Sequence, residues 1–98
     1  MRYKVKIAAR AKKAYEQNLD YLHKEWGNKV TLQFIERVDK MIGIVQENPF
    51  LFPVYNSHKG IRKCVIHERI ILYYRINGNT IELLLFWNTY RDTSKLKL

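Results

Sequence analysis

Ninety-eight residues, with seven tyrosines, four phenylalanines and two tryptophans, suffice for one hydrophobic core and exclude a second, so residues 1–98 are read as a single domain. A formal net charge of +9 on so small a chain favours polyanions or an acidic protein as partners. Apolar residues come only in short runs, which excludes a membrane span or secretory leader and implies a cytoplasmic protein. The single cysteine, Cys64, excludes an internal disulfide, and its neighbours Val65 and Ile66 make it a core side chain. The three histidines, His23, His58 and His67, are too scattered for a zinc site, so neither a metal nor another cofactor is expected.

Tyr3, Val5 and Ile7 alternate with Arg2, Lys4 and Lys6, the period of a strand with one face buried. From Ala8 the period lengthens. Ala8, Ala11, Tyr15, Leu19, Leu22 and Trp26 form one stripe of an amphipathic helix, which Gly27 ends. Val30, Phe34, Val38, Met41 or Ile42, and Val45 form a second stripe that stops at Asn48-Pro49. Two helices with so short a link are expected to pack as an antiparallel hairpin. Residues 49–60, PFLFPVYNSHKG, read as a loop that buries part of Phe50, Leu51 and Phe52. Three β-branched runs follow, Ile61 to Ile66, Ile70 to Ile76 and Ile81 to Trp87, the last two joined across Asn77-Gly78-Asn79, a strong hairpin signal. The predicted fold is α+β in two layers: an N-terminal strand, an α-helical hairpin, a three-stranded antiparallel β-meander and a short basic C-terminal tail.

Charge follows the same division. Residues 14–52 carry six acids against four bases, a net −2 that leaves +11 for the rest of the chain. The excess lies in residues 2–13, with six bases and no acid, in Lys59, Arg62, Lys63, Arg69 and Arg75 of the meander region, and in Arg91, Lys95 and Lys97 at the end. The run LLLFWNTYRD, residues 83–92, passes from buried strand into Asn88, Thr89, Tyr90, Arg91 and Asp92. On the residues alone, this exit reads equally as a capping turn with a local Arg91–Asp92 ion pair and as part of a site.

Several local features in this order give the chain a resemblance to the RelE/ParE superfamily of toxins from type II toxin–antitoxin modules. They are the alanine-rich first helix, Trp26-Gly27, Asn48-Pro49, Phe52-Pro53, Gly60-Ile61-Arg62, Tyr73-Tyr74-Arg75-Ile76 and the exit Phe86 to Asp92 followed by Lys95-Leu96. The resemblance covers nearly the whole chain. It implies a co-expressed antitoxin as partner, and either DNA gyrase or ribosome-bound messenger RNA as target. Metal-free RNA cleavage needs a base for the 2′-hydroxyl, cations on the phosphate and an acid for the leaving oxygen. Under that alternative, Arg62, Arg75 and Arg91 hold the phosphate and either Tyr90 or His67 transfers the proton, with Arg62, Arg91 and Tyr90 as the catalytic candidates. The superfamily's second lysine of the first meander strand, however, falls on Cys64, and its C-terminal tyrosine falls near Lys97. Trp26-Gly27 and the Tyr-Arg strand motif are more similar to ParE-like members, which act by binding gyrase; the target contacts are then Arg62, Arg75, Arg91 and Lys95. A third reading is a small RNA-binding domain that stacks bases on Tyr73, Tyr74 or Tyr90.

Overall fold

The computed structural model describes residues 2–67, 69–89, 96 and 98. A first strand, β1 (Lys4–Ile7), leads into a helical segment, α1 (Ala9–Glu47). Four strands follow: β2 (Val54–Asn56), β3 (Ile61–His67), β4 (Ile70–Asn77) and β5 (Thr80–Asn88). They form one sheet in the order β1-β5-β4-β3-β2, with β1 parallel to β5 and the other pairs antiparallel. The α+β class holds, but the expected three-stranded meander is corrected to a five-stranded mixed sheet. The meander β3-β4-β5 is only its centre. Both outer strands of a meander present unpaired backbone groups, and β1 and β2 satisfy them.

The helical hairpin is also corrected. Ala9–Glu47 is one helical segment of 39 residues, kinked at Gly27 rather than divided by a link. Gly27 has φ 82° and ψ −173°, a conformation open essentially to glycine alone. The Thr31 hydroxyl donates to the Gly27 carbonyl at 2.9 Å and holds the backbone at the bend. A straight helix of that length spans about 58 Å, whereas the molecule's longest extent is 38 Å. The kink therefore turns the segment back on itself, and Tyr15 and Phe34 stack with ring centroids 5.7 Å apart.

The core lies between α1 and one face of the sheet. Ala11, Leu22, Phe34, Val38 and Val45 of α1 meet Cys64, Ile66, Leu72, Tyr74, Leu83 and Phe86, each large side chain contributing about 1.5–3 kcal/mol by leaving water. Buried Asn18 donates to the carbonyls of Ala14 and Phe86, at 2.9 and 3.3 Å, and so ties α1 to β5 without leaving its amide unsatisfied. At the far end of α1, the Tyr3 amide donates to the Gln46 carbonyl and the Gln46 side chain donates back to Tyr3, which fixes the entry of β1.

Two details of register decide where side chains point. Asn77 pairs with Thr80, so the hairpin loop is Gly78-Asn79, with Gly78 at φ 61° in its first position. Farther along, Tyr74 pairs with Leu83 and Tyr73 with Leu85, leaving Leu84 as the extra residue of a bulge. The bulge reverses the alternation of β5: Ile81 and Leu83 face α1 before it, and Phe86 faces α1 after it. Leu85 and Trp87 consequently point to the outer face, where they are nonetheless buried. The unbroken apolar run of residues 83–87 is thus shared between both faces of the sheet.

Candidate functional site

Arg62 and Arg75 occupy neighbouring register positions on neighbouring strands. Arg62 lies opposite Tyr74, and Arg75 lies opposite Ile61 on one side and Glu82 on the other. Paired residues share a face, and successive residues do not. Phe86 touches Tyr15 of α1, with centroids 5.3 Å apart. Phe86 is paired with Leu72, and Leu72 with Cys64, so the alternate positions Arg62 and Tyr74 belong to the α1 side. Arg75 belongs to the outer side. The structure does not bring these two cations together.

Each is held by the protein's own groups. Arg62 Nη1 donates to the Phe52 carbonyl at 2.6 Å and to the Phe50 carbonyl at 3.3 Å, and its guanidinium lies 5.2 Å from the centre of the Phe50 ring. It fastens the loop before β2 onto the start of β3. The Tyr74 hydroxyl adds a buried bond of 2.6 Å to the Pro49 carbonyl. Burial pushes the Tyr74 phenol up to about 12, against the pull of nearby Arg62. On the outer face, Arg75 Nη2 and Glu82 Oε1 form a 2.6 Å ion pair. Glu82 was not singled out from the sequence, although the Gly78-Asn79 loop dictates its pairing with Arg75. Tyr73 points to the same face and packs edge-on against Tyr55, with ring centroids 4.7 Å apart.

Cys64 is buried, as its apolar neighbours imply, and desolvation raises its thiol to about 11 against the opposing effect of Arg37. A thiol so protonated is neither a nucleophile nor a substitute for a lysine cation. His67 ends β3, five positions from Arg62 or roughly 16 Å along the strand. It borders two hollows beside α1: an apolar one of about 230 Å³ shared with Tyr21, Leu22, Trp26 and Ile70, and one of about 470 Å³ shared with Glu36, Arg37 and Lys40. Tyr90, Arg91 and Lys95 lie outside the described residues. What the outer face offers is a groove of about 480 Å³, with Arg10, Lys59 and Arg75 around a floor of Ile61 and Leu84. Leu98 borders it too, and its carbonyl accepts a bond from the Lys59 ammonium.

No helix among the described residues is long and apolar enough to cross a membrane. None of the curated proteins matches the chain in sequence. Solved structures do match in fold. The chromosomal ParDE TA system of P. aeruginosa is similar with a TM-score of 0.74 at 14% identity, covering 88% of this chain and 95% of that one. The YoeB/ParE toxin from Agrobacterium tumefaciens is similar with a TM-score of 0.63 at 15% identity, covering 87% and 97%. The E. coli DinJ-YafQ toxin-antitoxin complex has a TM-score of 0.64 at 11% identity, with 92% and 96% covered. At these identities the likeness speaks for the fold. The family described as the ParE toxin of the type II toxin-antitoxin system parDE matches residues 5–93, nearly the whole length, and the chain belongs to that family.

Proposed function

We propose that this type II toxin arrests bacterial growth by binding DNA gyrase rather than by cutting RNA, and that a cognate antitoxin neutralises it. The observation that carries the reading is the separation of Arg62 and Arg75. Metal-free cleavage needs cations converging on one phosphate as its charge develops. Here one guanidinium holds the carbonyls of Phe50 and Phe52 and the other pairs with Glu82 across the sheet. Buried, protonated Cys64 stands where a lysine would strengthen such a cluster. A binding mechanism needs no such convergence. It needs a charged surface that selects a partner and an apolar one that holds it. We assign the charged part to Arg75 with Lys59 on the outer face, to Arg62 at the loop, and to Arg91 and Lys95 beyond β5. The antitoxin follows from family membership, and from the P. aeruginosa and E. coli relatives in fold being toxin–antitoxin systems. An acidic segment that folds on a domain of net charge +9 fits the same picture.

The test is expression in a growing bacterium with translation and DNA supercoiling followed separately. Supercoiling is expected to fail first, and purified gyrase to be inhibited at micromolar toxin. Early loss of translation with messenger RNA cut at regular codon positions overturns the reading in favour of a ribosome-dependent nuclease. Co-elution with the product of the adjacent small gene at physiological salt checks the antitoxin.

A further inference from the structure

A five-stranded open sheet has two edges, and this one guards them differently. At β1 the edge is flanked by Arg2, Lys4 and Lys6, all exposed, with Ile7 as the one large apolar side chain in the open. Cations along an edge deter an apolar strand but not an acidic one, so what this edge lacks is a cluster of apolar side chains to hold a partner. At β2 the flanking residues are apolar. Phe50, Leu51, Val54 and Tyr55 are 59%, 60%, 48% and 41% exposed, four of the nine large apolar residues exposed among those described, within six positions of sequence. They sit on both sides of the edge: Val54 shares the face of its partner Arg62, whose guanidinium lies against Phe50, whereas Tyr55 leans on Tyr73 of the outer face.

The stretch of sequence that carries this patch is cationic. Residues 48–67 contain Lys59, Arg62 and Lys63 and no acid, and Glu47, just before them, is paired with Arg2. An open sheet edge, apolar side chains on both faces and these cations together describe a receptor for an extended, acidic segment bearing apolar side chains. We propose that the β2 edge is where the toxin grips its protein target, taking up such a segment of the target as a sixth strand. This rests on the binding mechanism above and gives it a location. Backbone pairing with β2 supplies register, Phe50, Leu51, Val54 and Tyr55 supply affinity, and Lys59, Arg62 and Lys63 supply selection for carboxylates.

The experiment compares the parent toxin with the double variant Leu51→Glu/Val54→Glu and with Ile7→Glu on the other edge. All three are assayed for growth arrest, inhibition of purified gyrase, and capture by the antitoxin, with circular dichroism to verify folding. The β2 variant places carboxylates where carboxylates are expected to dock. It is expected to lose inhibition and target affinity on the order of tenfold or more, while remaining folded and captured by the antitoxin. Ile7→Glu is expected to behave like the parent. Undiminished gyrase inhibition by the β2 variant overturns the docking site and leaves the gyrase mechanism standing. A β2 variant that still arrests growth but escapes the antitoxin also overturns it, since the edge then serves the antitoxin. If that variant is misfolded, Tyr55→Glu alone takes its place under the same criteria. A parent toxin that cuts messenger RNA and spares gyrase overturns the binding mechanism first, and this assignment with it.

Discussion

The two faces of the sheet are built from the same strands and hold themselves together by different means. The face toward α1 is a continuous apolar layer in which Phe34, Tyr15 and Phe86 touch, and its polar atoms, such as the Tyr74 hydroxyl, are matched by backbone carbonyls. The outer face is a mosaic: the Arg75–Glu82 pair and the Tyr55–Tyr73 contact lie beside a groove with Lys59 on its rim. The contrast teaches that position along a strand does not decide whether an arginine is structural. Arg62 is on the inner side at the margin of the core, where its hydrogen bonds hold a loop. Arg75 is on the outer side, where its ion pair is partly in water. The inner arginine is therefore expected to matter to stability as well as to recognition, and the outer one to recognition alone.

Truncating the inner layer should have the largest effect. Phe34→Ala removes a fully buried ring that stacks on Tyr15, and a loss of about 3–5 kcal/mol is expected in urea unfolding. A loss near that of an exposed residue would mean that the face toward α1 is not the continuous core described. Alkaline titration probes the same layer. The folded-state values of Cys64 and Tyr74, about 11 and about 12, lie above their ordinary values of 9.0 and 10.0 because burial disfavours the charged forms. The unfolded chain therefore releases these protons first. The resulting stability is intact below pH 9, falls as pH rises from 9 to 11 through the thiol, and falls further from 10 to 12 through the phenol. Thermal melts across that range are expected to shift downward, and Cys64→Ala is expected to remove the earlier part of the shift. In the native protein the thiol should resist alkylation at pH 8.

Arg62→Ala is expected to cost about 1–3 kcal/mol, since it strips a partner from the Phe52 and Phe50 carbonyls and a cation from the Phe50 ring. Arg62→Lys should recover only part of this, because an ammonium cannot reproduce the fork of a guanidinium. Arg75→Ala should cost least, under about 1 kcal/mol and less still at high salt, while weakening growth arrest. If Arg75→Ala unfolds the protein and Arg62→Ala leaves it unchanged, the contrast between the faces is inverted.

Much of this was legible in the residues. The stripe from Ala11 to Leu22 announced its buried face, the apolar neighbours of Cys64 announced its burial, and Gly27 announced a break. Trp26 and Ile7, at the ends of their patterns, are instead 65% and 53% exposed. Register was harder to read. Asn77-Gly78-Asn79 marked the hairpin without fixing its register, and only the observed Gly78-Asn79 loop sets Arg75 opposite Glu82. The bulge at Leu84 was equally hidden, because a run of leucines looks the same whichever residue is extra. Phe50 and Leu51, expected to be partly buried, are mostly in the open, since Arg62 and the Tyr74 hydroxyl anchor their loop by its carbonyls rather than by its side chains.

Local chemistry, by itself, determined the elements of this toxin: period, glycine and proline act over a few residues and need no distant partner. Which strand lies beside which, that β1 returns to pair in parallel with β5, and that Arg62 and Arg75 face away from each other were decided only by the tertiary structure. Strand pairing joins residues far apart in the chain, and one inserted residue in a sheet of period two turns every later side chain to the opposite face.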